Sequence, residues 1–237
     1  MKVVYHGVPK DMAGHVLYPL NQLRVIAPEA YQFQKSKYAG RESVLGYRIP
    51  GLNLFFNDTI HCAAVNPSRL CDARQQLGIP QPTMMSGLFF AIPLERIMVH
   101  RVVWYSGKTL WINGAPDEDV PLVPPNDEFE PFNPQAYREL SEPTPAHLAY
   151  LKRMKHAGKR PLMFVHIPHI LVAGPIDVSG LTPICWQQAA PSPMHVWRTS
   201  AEHAVKLPER GGDRHRKPQP PGQAPERSPS PNGLASP

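Results

Sequence analysis

The chain has 237 residues, 42% of them apolar, and a formal net charge of +6. It is long enough to bury a substantial core. Cys62, Cys71 and Cys185 are too few and too widely spaced for a disulfide framework or a zinc pattern, which points to a reducing compartment and a cytoplasmic protein. No stretch approaches the roughly 18 uninterrupted apolar residues of a membrane span.

Val3 to His6 reads as a strand whose apolar run ends in a histidine directly before Gly7, a residue that lets a backbone or ligand approach closely. Ala27-Pro28-Glu29 opens a helix with proline in its first turn, and Gly40 closes it. Val44 to Ile49 and Leu52 to Phe56 read as strands, and the apolar run continues to Val65, interrupted by Asn57, Asp58 and His61. Buried polar side chains cost free energy unless something satisfies them, so a site is expected here and at His6-Gly7. Asn66-Pro67-Ser68 starts a second helix running to Leu77, with Gly78 as its C-terminal cap.

Leu88 to Ile92, Met98 to Tyr105 and Thr109 to Ile112 read as further strands, and Ser106-Gly107 predicts a hairpin between the last two. Pro116 to Pro145 is rich in acids and prolines, and its Phe129, Phe132 and Tyr137 predict a long loop pinned to the domain. Thr144-Pro145 begins a third helix ending near Gly158, and Leu162 to Val172 is a strand run that Pro168 divides or bends. From Pro208 the composition turns to Pro, Gly, Ser and Arg with a single large apolar residue, Leu234, which predicts disorder.

The fold class expected is therefore α+β. Residues 1–207 form one globular domain with a mostly antiparallel sheet, about three helices and a long acidic, proline-rich loop at 116–145, followed by a disordered tail at 208–237.

Several function classes lack their motifs. There is no G-x-S-x-G elbow, no G-x-x-x-x-G-K-[ST] phosphate loop and no G-x-G-x-x-G after a strand. His166 and His169 invite a metal reading, but residues three apart in a strand point to opposite faces, so the pair could chelate only if Pro168 turns the chain. Lys152, Arg153, Lys155, Lys159 and Arg160 cluster at and beyond the end of the third helix. Their simplest role is to complement the helix dipole. A nucleotide or nucleic-acid partner is the alternative, with Arg24, Arg41 and Arg48 as additions. An interaction protein using the loop at 121–145 is a further alternative.

Tyr5-His6-Gly7, followed by Leu54-Phe55-Phe56-Asn57-Asp58 and Ala63-Ala64, resembles the first two motifs of the ADP-ribosyltransferase superfamily, in the branch of poly(ADP-ribose) polymerases, RNA 2'-phosphotransferases and DarT-type toxins. The resemblance covers about a quarter of the chain. It implies an NAD cofactor, with His6 and Gly7 at the ribose, Phe55 or Phe56 as a wall stacking on nicotinamide, and Asn57 or Asp58 at the rim. Gly87 to Ala91 is a rival for the aromatic motif. The family's late catalytic glutamate has no counterpart, and Asp177, after a strand-like His169 to Val172, is the residue that would stand in for it.

Overall fold

A computed structural model describes residues 1–10, 12–39, 42–82, 86–109 and 124–185. Residues 1–192 form one compact unit; residues 193–237 are a second unit, outside the described residues, as is the expected tail at 208–237.

Seven strands make the central sheet. In chain order they are β1 (Val3–Gly7), β5 (Ile60–Ala63), β6 (Leu88–Pro93), β7 (Val102–Tyr105), β8 (Phe129–Pro131), β9 (His169–Val172) and β11 (Ile184–Cys185). They lie in the order β11-β6-β1-β5-β9-β7-β8, and every neighbouring pair is antiparallel. Two small ribbons accompany it, β2 (Val16–Leu17) with β10 (Ile176–Asp177) and β3 (Arg48–Ile49) with β4 (Leu54–Phe55).

Side chains alternate across the strands, so the register divides them into two sets. Val4 opposite Ile92, Cys62 opposite Ile170 and Ile60 opposite Val172 build one core. Tyr5 opposite Ala63, Ala63 opposite His169 and His169 opposite Tyr105 run along the other face. There, Val103, Tyr105 and Leu171 pack with Tyr47, Ile49 and Phe56.

Five α-helices occur among the described residues: α1 (Leu20–Ile26), α2 (Pro28–Ser36), α3 (Pro67–Gln76), α4 (Leu94–Ile97) and α5 (Pro145–His156). The two longest carry the caps the sequence predicts. Asn66 Oδ1 accepts the Ser68 amide at 3.0 Å, and Thr144 Oγ1 accepts that of His147 at 3.1 Å. Gly78 and Gly158 follow with φ of +63° and +64°, values that glycine adopts without strain. Arg74, fully buried in the last turn of α3, donates to the carbonyls of Pro80 and Pro161 at 2.6 and 3.3 Å, joining the turns that follow α3 and α5.

The local details depart from the sequence reading where tertiary contacts compete. The first half of Val44 to Ile49 belongs to a 3-10 turn (Glu42–Gly46), and only β3 is a strand. Ala63, in the resemblance's second motif, ends strand β5, and a helix follows at Pro67–Gln76. Val102 to Tyr105 pairs with β8 and β9, so the hairpin expected across Ser106-Gly107 is replaced by long-range ladders; of its second strand, Ile112 and the residues from 110 lie outside the described part. In the acidic segment, Phe129 stacks on Tyr105 at 4.8 Å and the Tyr137 hydroxyl donates to Val3 O at 2.8 Å. No helix among the described residues is long and apolar enough to cross a membrane.

Candidate functional site: a histidine seam in the central sheet

Three histidines come from three adjacent strands, His6 from β1, His61 from β5 and His169 from β9. His61 lies two residues from Ala63, which faces His169 across the ladder, so those two imidazoles share a face. Strict alternation puts His6 with Val4 on the other face. The β1–β5 ladder, however, consists of the single pair Tyr5–Ala63, while β1 stays paired to β6 as far as Gly7 opposite Phe89. The β1–β5 pairing thus does not extend to His6-Gly7 and His61. Repulsion from His61 and Lys37 lowers the pKa of His6, and repulsion from His61 and His6 lowers that of His169.

The three histidines are partly buried as residues, and desolvation dominates the titration of each ring. Burial holds His6 and His61 down to about 4 and His169 down to about 3, with like-charge repulsion from its neighbours adding to the effect for His6 and His169. The imidazoles are therefore neutral at pH 7, each offering one donor and one acceptor.

Local contacts fix the rings. The Phe56 carbonyl can only accept, so His61 Nε2 carries the proton of their 2.8 Å hydrogen bond and Nδ1 holds the free lone pair. The Phe56 ring lies 4.1 Å from that of His61. Tyr105 and Phe164 flank His169 at 6.3 and 5.9 Å, and Phe89 meets Phe164 at 6.5 Å. The Nδ1 atoms of His6 and His169 are buried and make no hydrogen bond of good geometry, although the Gly7 and Ile167 backbones lie close enough to raise the pKa of the respective rings slightly. Such atoms are costly to leave empty-handed, and a bound polar ligand would relieve that cost.

The other nominated residues are distributed differently. Phe55, on β4, lies under the Arg48 guanidinium at 4.4 Å. Asn57 is 1% exposed, not at a rim, and neither side-chain amide atom has a partner. Asp58 has a structural occupation, accepting from Asn21 Nδ2 at 2.7 Å and from the Phe55 amide at 2.8 Å. Asp177 is the exposed residue of the β10 ribbon, beside the buried Ile176. Its carboxylate accepts from the Ser179 amide and hydroxyl at 2.7 and 2.9 Å, bonds that hold its pKa below the ordinary value, and Arg96 and His15 are its charged neighbours.

His166 and His169 do not converge. His166, at φ +56°, turns Nδ1 to the Lys108 carbonyl at 2.9 Å, whereas His169 joins the seam. No group of three or more His, Cys, Asp or Glu among the described residues could hold a metal ion. In the basic cluster, Lys155 donates to the Leu77 carbonyl at 2.6 Å and so caps the end of α3. The sequence marks His61 as a break in an apolar run and His169 as half of a metal-type pair, but not that the two share a face. The signal for His61 is its alternation with Ala63 in a short β-type run. No protein-family model, curated protein or solved structure matches the chain.

Proposed function

We propose that the chain is a nucleotide-binding protein of ADP-ribosyltransferase-like character that takes NAD or ADP-ribose at the histidine seam. The observation that carries this reading is the convergence of His6, His61 and His169 as neutral, desolvated imidazoles beside an aromatic wall, two of them with an unpartnered buried ring nitrogen. Neutral imidazoles suit ribose hydroxyls, which need both donors and acceptors, and aromatic surface suits a planar base. Gly7 opposite Phe89 leaves the floor without a side chain at that point. The resemblance at His6-Gly7 adds the nature of the nucleotide.

Binding is the activity assigned. Transfer would need a carboxylate at the departing nicotinamide to stabilise developing positive charge. Asp177 is turned onto Ser179, and Glu128, the one buried acid among the described residues, is occupied by Ser106, Lys108 and Thr109. A melting experiment tests the reading. NAD or ADP-ribose at 100 times its dissociation constant raises stability by about 2.7 kcal/mol, and His61→Ala or His169→Ala abolishes the shift while the variant still melts cooperatively. An unchanged melting temperature with both ligands refutes it.

A further inference from the structure

A cleft of about 470 Å³ opens at the turn between β3 and β4, lined by Arg48, Ile49, Pro50, Gly51, Asn53 and Asn126, the last from the 3-10 turn Asn126–Glu128. Its cation is held on two sides. Arg48 stands opposite Phe55 across the β3–β4 ladder, and its guanidinium lies 4.4 Å from the centre of that ring. Arg48 Nη1 donates to Asn53 Oδ1 at 3.0 Å and to Asn53 O at 3.4 Å. Asn53 tolerates the φ of +53° that goes with this contact, and above Gly51 nothing lies within 4 Å of the place a Cβ would take, so the mouth of the cleft is clear. A guanidinium stacked on a ring and bonded at one nitrogen needs little further ordering to bind. Arg101 donates to the Leu52 carbonyl of the same turn at 3.4 Å, and among the described residues neither arginine is in an ion pair. The edge of Arg48 left over is Nε–Nη2, whose parallel N–H groups match the two oxygens of a carboxylate.

We propose that this cleft binds a small polar carboxylic acid, its carboxylate bidentate on the Nε–Nη2 edge of Arg48 and its hydroxyl or amide groups on the side-chain amides of Asn53 and Asn126. A monoanion suits the cleft better than a phosphate dianion, because Asp127 and Glu128 follow Asn126 directly and bring carboxylate charge behind that wall. The site uses none of the histidines of the seam and stands independently of the nucleotide reading.

NMR titration of the full chain with gluconate, its uncharged counterpart gluconamide and inorganic phosphate tests it, on wild type, Arg48→Gln, Arg48→Lys and, as a control at an exposed arginine on α3, Arg69→Gln. In wild type, gluconate is expected to shift the Gly51, Asn53 and Asn126 amides and the Arg48 Nε resonance saturably, with gluconamide and phosphate much weaker. Arg48→Gln and Arg48→Lys each weaken gluconate by about tenfold or more, the lysine variant because it keeps the charge and loses the fork. Arg69→Gln matches wild type, and unchanged Ile49 and Leu54 amide resonances show that the ribbon is intact in each variant. No saturable shift by gluconate in wild type overturns the site, as does equal binding by Arg48→Gln. Shifts spread equally over Lys152 to Arg160 mark general attraction to anions and overturn it too. Phosphate binding tighter than gluconate overturns the carboxylate assignment, and full binding by Arg48→Lys overturns the bidentate geometry.

Discussion

Phe56 holds His61 twice, through a ring contact of 4.1 Å and through a 2.8 Å hydrogen bond from His61 Nε2 to the Phe56 carbonyl. The 3-10 turn Phe56–Asp58 makes this possible by reversing the chain just before β5, so that the aromatic lies back over the strand that follows it. Phe56 is only 6% exposed and also packs edge-on against Tyr47 and Tyr105. It is a core residue that shapes the site from behind.

Phe56→Ala is therefore expected to cost about 3–5 kcal/mol in urea denaturation, the usual range for emptying a buried aromatic site. Phe55→Ala, at a half-buried ring, is expected to cost much less. Equal losses for the two would contradict the different burial of these neighbours.

Stability should fall on mild acidification. His147 is fully buried, its Nδ1 donating to the Val165 carbonyl at 2.7 Å, and burial lowers its pKa from 6.5 to about 4. A lowered histidine pKa means that the unfolded chain binds more protons, so the contribution is complete above 6.5 and is lost as pH drops towards about 4, by about 1.4 kcal/mol per pH unit for one such group. His6, His61 and His169 act in the same direction. Urea midpoints between pH 7 and pH 5 measure the slope, and His147→Gln is expected to flatten it. A midpoint independent of pH over this range would rule the linkage out.

Glu128 anchors the turn after β7. Its carboxylate accepts from the amides of Lys108 and Thr109, both at 2.7 Å, and from Ser106 Oγ at 3.1 Å. Removing a buried acceptor that serves three partly buried donors leaves them to water, so Glu128→Ala should cost about 1–3 kcal/mol. Hydrogen exchange gives the local readout: the Lys108 and Thr109 amides lose protection before the rest of the sheet does.

Gly107→Ala should be costly for a different reason. With φ at +63°, a Cβ on this glycine would meet the Ile167 carbonyl oxygen at 2.7 Å, and that neighbour is backbone. Left-handed strain contributes about 1–2 kcal/mol, and the clash adds to it. Gly158→Ala has a similar φ of +64° but open space around it, so its smaller loss in thermal melting separates strain from clash.

The sequence by itself determined what depends on neighbours along the chain. Asn66 with Ser68 and Thr144 with His147 cap their helices using partners two or three residues away, and Gly78 and Gly158 end them through their own backbone freedom. The mixed α+β class and the antiparallel sheet followed from the same local patterns. Short α1 and α4 escaped because they carry neither a side-chain cap hydrogen bond nor the first-turn proline that marks α2.

Only the tertiary structure decided which polar residues meet. His6, His61 and His169 are far apart in sequence, and their convergence requires β1, β5 and β9 to be neighbours with the β1–β5 ladder cut to one pair. Local propensity does not encode strand order, since a strand's partners are chosen by which faces bury together across the whole domain. The same holds for Asp177, whose chain position resembles a site residue while its carboxylate belongs to a turn with Ser179.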